Sequence, residues 1–364
     1  MELFIILIVV NQRADASDEE SADNLATLRS LPHWKQHYRL QNLFWVDAAS
    51  SGFELPHKQG VGLARKIGLD LALKQLDFSS GDPLLICLDA DTLVQPDYLA
   101  AISTHFLHAS AGGASIPYRH RPASNQVGQT AIDRYELFLR TYVLGLKQAG
   151  SPYAFHTVGS AMACRASAYA ASGGMNRRQA GEDFYFLQQI FKTSGVADLS
   201  GTIVYPSPRA SDRVPFGTGR AVGDMLADGE QRLLFYQPAV FSIVREWLAY
   251  VSEQSNEEAA SLLRGAAEIS PVLRIFLEQA GFCASWNNLK RQNSETLKLL
   301  RAFHGWFDAF RTMRLVHELS DQVYPRIPPE KAVLPLLELA GMVCPDTTIG
   351  GQLELLRTLQ GGNG

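Results

Sequence analysis

The run Leu84-Leu85-Ile86-Cys87-Leu88 stops abruptly at Asp89-Ala90-Asp91. Five apolar residues in a row read as a strand buried on both faces, the pattern of a helix-covered parallel sheet. In an open α/β sheet the carboxyl ends of the strands form the crevice where ligands bind. With a side-chain period of two, Asp89 and Asp91 share a face for as long as strand geometry lasts. Like charges held that close repel unless a cation lies between them, and a hard divalent ion with oxygen ligands answers that need. The pair points to Mg²⁺ or Mn²⁺ carrying a diphosphate on its open positions. The plain alternative is a turn, because Asp caps backbone wherever strands end.

Bulk properties narrow the classes. With 364 residues, 46% of them apolar and 19% charged, the chain can bury a large core and shows no signature of disorder. A formal charge of −4 offers no basic footprint for nucleic acid. Cys87, Cys164, Cys283 and Cys344 are scattered and form no Cys-x-x-Cys pair, which points away from a zinc site or disulfide framework and toward a reducing, cytoplasmic setting. The N-terminal run Leu3 to Val10 is eight residues, far short of the roughly 20 that cross a bilayer, and lacks a signal peptide's basic flank. It reads as a first, central strand.

From residue 1 to about 120, strand-like runs alternate with helical ones. The first strand ends at Val10-Asn11, and a polar loop from Gln12 to Ser21 leads to a helix around Leu25, Leu28 and Leu31. A second strand, Leu43 to Asp47, precedes Gly60-Val61-Gly62 and an amphipathic helix over Leu63 to Leu76. Further strands are expected at Gly113 to Pro117, Val158 to Cys164 and Thr202 to Tyr205, with a helix over Ala131 to Leu146. That alternation predicts a mostly parallel sheet flanked by helices. After about residue 236 the pattern becomes helical throughout, so the boundaries read as a domain over 1–235 and a helical C-terminal region over 236–364.

Four motifs in order give this chain a resemblance to GT-A glycosyltransferases of the inverting, family-2-like kind. They are Phe44-Trp45-Val46-Asp47, Gly60 to Lys66 with its Ala64-Arg65, Asp89-Ala90-Asp91, and Gly173-Gly174-Met175 followed by Gly181-Glu182-Asp183. The resemblance implies a Rossmann-like GT-A sheet with a helical appendage, and a nucleotide-sugar donor, UDP- or GDP-linked. It further implies a divalent metal on Asp89 and Asp91, with Asp183 as the base. Asp47 takes the place of the family's base-contacting acid. The first strand runs into Asn11-Gln12-Arg13 in place of the family's Pro-x-Tyr-Asn, which leaves Asn11 as the candidate nucleotide contact there, and Lys66 replaces a common Asn. No Gln-x-x-Arg-Trp sequence of processive synthases is present, so transfer is expected to be non-processive.

Each residue then has an expected task. Arg65, Arg209 and Arg213 supply charge-assisted bonds to phosphate, alongside Asp89 on the donor side. Asp183 removes the acceptor proton, and Glu182 holds an acceptor hydroxyl or tunes the pair. Adjacent acids equally suit a helix N-terminus through its dipole. Gly159 and Ser160 offer close backbone approach to an acceptor, though tight packing explains small residues as well. His156 is a minor candidate as a third ligand. The stretch from Arg209 to Gly219 reads as a lid with glycine hinges, or as a solvated loop. The acceptor is a glycan, a lipid-linked molecule or a small molecule, and the Lys298 to Arg314 helix leaves peripheral contact with the inner face of a membrane open.

Rival classes share some of these residues. Asp89-Ala90-Asp91-Thr92 also fits a haloacid-dehalogenase-like phosphatase, in which Asp89 is phosphorylated and Asp91 is the acid/base. That motif ordinarily ends a domain's first strand, whereas two strand-helix units precede it here. A nucleotidyltransferase on a similar fold would carry a basic glycine-rich first loop, which is absent here. A non-catalytic nucleotide-sugar-binding protein on the same fold would have lost the acids that this chain retains.

Overall fold

The first two apolar runs form β1 (Ile6–Asn11) and β2 (Leu43–Ala48), paired in parallel from Ile6 opposite Leu43 to Asn11 opposite Ala48. In the computed structural model, which describes residues 4–211, 217–229 and 232–361, they are joined by α1 (Asp18–His37). That helix starts inside the stretch expected to be loop. The Ser17 side chain accepts from the Glu20 amide while Glu20 accepts from the Ser17 amide, a capping box that satisfies donors a helix start leaves open.

The chain continues through α2 (Val61–Leu73), β3 (Leu84–Cys87), β4 (Leu93–Val94), α3 (Tyr98–His108) and β5 (Gly113–Ser115). After α4 (Gln126–Gln148) come β6 (Met162–Arg165), α5 (Ala166–Ala171), α6 (Glu182–Ser194), β7 (Val196–Asp198), β8 (Val204–Tyr205) and α7 (Thr218–Asp228). The second sheet has the order β3-β6-β5-β7, and β4 pairs with β8.

The sheet corrects the mostly parallel expectation. β6 runs antiparallel to both β3 and β5, and β4 antiparallel to β8, while β5 and β7 are parallel. The reason lies in the connection. Because β6 opposes β5, the excursion through α4 hands the chain back at the end of the sheet from which β5 left. The turn Val158 to Ala161, closed by the Ala161 amide on the Val158 carbonyl at 2.8 Å, therefore lies beside the carboxyl ends of β3 and β5. The same arithmetic places the start of α6 there, because α6 feeds β7, which is parallel to β5.

Two compact units are present. The first comprises the described residues of Met1–Arg121 and Thr157–Arg220 and holds the eight strands found among the described residues. The second comprises the described residues of Pro122–His156 and Ala221–Asn363. A single cut at residue 235 therefore differs from the observed partition, because α4 joins the helical unit. Its apolar face, including Leu137, Leu144 and Leu146, is buried in one core with Val244, Trp247, Leu273, Phe303 and Leu336.

The helical unit continues with α8 (Pro238–Glu253), α9 (Ala259–Ile269), α10 (Pro271–Gln279), α11 (Phe282–Gln292), α12 (Thr296–Trp306), α13 (Ala309–Gln322), α14 (Pro329–Leu339) and α15 (Ile349–Leu359). A buried charge cluster fastens α15 to α4. Arg357 donates from Nε to Glu136 Oε1 at 2.7 Å and from Nη2 to Oε2 at 3.0 Å, and Arg140 Nε reaches the same Oε1 at 2.9 Å. Glu136 is fully buried, so two guanidinium groups supply the charge that its desolvation demands. Nearby, the buried His156 contacts Gln360 Oε1 through Nε2 at 2.9 Å. Burial, reinforced by the Arg140 charge, pushes the imidazole down to about 3, so His156 is a neutral packing residue of this unit. Among the described residues no helix is long and apolar enough to cross a membrane.

Candidate functional site

The acidic pair sits on a turn, and not on the strand. β3 ends at Cys87, and the Thr92 amide donates to the Asp89 carbonyl at 3.0 Å, so Asp89 to Thr92 is a four-residue turn. The two acids thus share one turn instead of one strand face, and each carboxylate has its own arginine. Asp89 Oδ1 accepts from Arg65 Nη2. Asp91 Oδ2 pairs with Arg209 Nε at 2.8 Å.

Arg65 occupies an unexpected place for a phosphate contact. Its side chain is only 11% exposed, and its fork is divided between Asp89 through Nη2 and Glu182 Oε1 through Nη1. The guanidinium is thus already engaged by two carboxylates and is not the free phosphate-facing cation that its helix-start position suggests. Those charges raise its pKa further against the opposing effect of burial, so it stays protonated.

Glycines make this arrangement possible. A Cβ at Gly159 would fall on the Arg65 guanidinium, so the room beside Gly159 is taken by Arg65 rather than left open to an acceptor. Ser160, also an acceptor candidate, is 2% exposed in the same turn. A Cβ at Gly62 would meet the backbone of Asn176 and Arg178, so the start of α2 packs directly on the loop that leads into α6. Gly181, with φ 68°, sits in the left-handed region at the N-cap of α6, where a side chain would be strained.

Glu182 and Asp183 open α6, yet they differ in exposure. Glu182 is 4% exposed and committed to Arg65. Burial first, then the neighbouring Asp183 charge, pushes its carboxyl up to about 7 against the pull of Arg65. Asp183 remains half-buried, with Oδ1 accepting from the Phe184 amide at 2.7 Å, and burial raises its pKa too. An acid raised from its usual range is a better proton acceptor at neutral pH. Asn176, which the sequence reading did not single out, donates from Nδ2 to the Glu182 carbonyl at 2.8 Å.

Asp47 and Asn11 end adjacent parallel strands. Asp47 Oδ1 accepts from the Ala49 and Ser50 amides at 3.0 and 2.8 Å, and these bonds, with the Ser50 side chain foremost, hold its pKa below the ordinary value. Asn11 donates from Nδ2 to the Val9 carbonyl at 3.2 Å. Both side chains shape their own strand ends.

Arg121 was missed by sequence reasoning. It donates from Nη2 to the Asp91 carbonyl at 2.9 Å, and its amide donates to the Pro206 carbonyl at 3.0 Å. The available signal was its position in Tyr118-Arg119-His120-Arg121, directly after the expected strand at Gly113 to Pro117. Arg213 lies outside the described residues. Of the expected glycine hinges, Gly219 lies in the first turn of α7, and its backbone oxygen accepts from the Ser211 amide at 3.0 Å.

The donor chemistry suits a hard cation. Asp89 and Asp91 each spend one oxygen on an arginine and keep the other unengaged among the described residues. Two carboxylate oxygens on one turn match an ion that takes its remaining ligands from phosphate and water. Among the described residues no cluster of three or more His, Cys, Asp or Glu stands ready to hold a metal by itself.

Residues 84–227 match the family model described as glycosyl transferase family group 2. The segment carrying both acidic motifs is therefore similar to family-2 glycosyltransferases, and the match supports sugar transfer as its general activity and does not favour the phosphatase reading. No curated protein matches the chain.

Proposed function

We propose that the chain transfers a sugar from a nucleoside-diphosphate donor to an acceptor hydroxyl by a single inverting displacement, one sugar at a time. The observation that carries this reading is the Arg65 bridge. It draws the Asp89 end of one acidic motif to the Glu182 end of the other, which supports assigning the leaving group to the first motif and the base to the second. Asp89 and Asp91 would hold a divalent ion, which when bound supplies Lewis-acid neutralisation of the departing diphosphate.

The remaining tasks belong to side chains. Arg209, more than half exposed beside Asp91, is placed to turn from that carboxylate to a phosphate. Asn11 and Asp47 end the adjacent parallel strands β1 and β2, and the nucleotide base is assigned to them. Asp183 takes the acceptor proton as the acceptor oxygen forms its bond to the anomeric carbon. The bond from that carbon to the diphosphate oxygen breaks, and its electron pair leaves with the nucleoside diphosphate. Arg65 balances the charge of Glu182 behind the base.

A screen of nucleotide sugars for released nucleoside diphosphate, with and without Mn²⁺, tests the proposal. Metal-dependent release that Asp91→Ala abolishes supports it. Hydrolysis of simple phosphate esters with no response to nucleotide sugars would replace it.

A further inference from the structure

We infer that Arg65 is a positioning residue that surrenders Asp89 to an arriving divalent cation while keeping its hold on Glu182. The inference rests on the transferase reading above and goes further, because it assigns the site an internal competitor for the metal. Three observations carry it. First, one guanidinium serves both acids, Nη1 to Glu182 and Nη2 to Asp89. Second, the two bonds are unequal in environment: the Glu182 side chain is 6% exposed and that of Asp89 is 43% exposed. Third, a Cβ at position 159 would fall on the guanidinium, so glycine there leaves it this berth.

The inequality gives the exchange a direction. Breaking the inner bond would strand a buried carboxylate, which is strongly destabilising. Breaking the outer bond leaves Asp89 to solvent or to another cation, a far smaller loss. A cation approaching from solvent therefore competes for Asp89 and not for Glu182. Once Asp89 is taken, the whole Arg65 charge faces Glu182 and neighbouring Asp183. Arrival of the donor's cation thereby alters the field around the base.

The sign of one measurement separates this from a merely structural arginine. Mn²⁺ alone is titrated into the full chain by calorimetry, for the wild type, Arg65→Met and Gly159→Ala. Loss of a scaffold weakens Mn²⁺ binding. Loss of a competitor tightens it, by roughly tenfold if one adjacent positive charge is removed. Arg65→Met is expected to tighten Mn²⁺ binding while transfer slows. Gly159→Ala, which displaces the guanidinium without deleting any charge, is expected to shift binding the same way by less. Equal or weaker Mn²⁺ binding in both variants overturns the inference. If Arg65→Met fails to fold, Gly159→Ala decides by the same sign. A wild type whose nucleotide binding ignores Mn²⁺ defeats the metal reading itself, a result distinct from failure in the variants.

Discussion

Arg121 holds the main chain of Asp91, its Nη2 lying 2.9 Å from the Asp91 carbonyl, while Arg209 holds the side chain of the same residue. The acidic turn is thus gripped from two segments, the stretch after β5 and the loop after β8, which run together where the Arg121 amide meets the Pro206 carbonyl. A hydrogen bond from a charged donor contributes about 1.5–3 kcal/mol, enough to fix the direction of a short turn. Arg121→Met is expected to weaken Mn²⁺-dependent binding of UDP or GDP by roughly tenfold or more. Calorimetry with and without Mn²⁺ checks it, and unchanged affinity would mean the Asp89–Thr92 turn holds itself.

Asp183→Asn keeps the shape of the α6 start and removes the basicity. Turnover is expected to fall by ~10²–10⁴-fold at saturating donor, with donor affinity nearly unchanged. Glu182→Gln has a different expected signature. It removes the charge that Arg65 balances in a buried place, so stability should fall along with rate. Rates and melting temperatures measured on the same preparations separate the two roles. Normal turnover by Asp183→Asn would move the base elsewhere.

In the helical unit, Glu136 is the common acceptor for Arg140 and Arg357. Glu136→Gln removes the buried charge that both guanidinium groups share, while Arg357 keeps Glu354 at 2.6 Å, and a loss of up to about 3–5 kcal/mol is expected. Denaturant unfolding measures it. A change below about 0.5 kcal/mol would mean that water reaches the cluster.

His156 makes stability depend on pH in a predictable sense. Its folded pKa is about 3, against 6.5 for the ordinary imidazole, so the unfolded chain binds the proton first as pH falls. More protons on the unfolded side means that stability rises with pH over this window. The contribution is fully present above about pH 6.5 and is lost progressively toward pH 3. At pH 5 the loss is about 2 kcal/mol, from 1.5 units at 1.36 kcal/mol each. His156→Gln should flatten this part of the unfolding profile between pH 7 and 4. An unchanged slope would place the titrating group elsewhere.

The sequence by itself determined what depends on neighbours along the chain. The apolar runs at Ile6 to Val10, Leu43 to Val46 and Leu84 to Cys87 became strands because short apolar runs bounded by polar residues have few other uses. The helical texture after residue 236 and the order of the acidic motifs were legible for the same reason. Tertiary structure decided what depends on residues far apart. The direction of β6 follows from where the α4 excursion returns, which periodicity does not encode, and α4 joined the helical unit because its apolar face packs there. Gly159 read equally well as an acceptor's doorway or as packing, until the Arg65 guanidinium was found in the space it leaves. Arg65 itself looked like a phosphate contact, because nothing local reveals that two carboxylates from distant segments converge on it. Local patterns fix which elements form, since burial of one face is a property of a short window. The partners of a buried charge are fixed only when the folded chain removes water and leaves each charge to the opposite charges that packing has brought within reach.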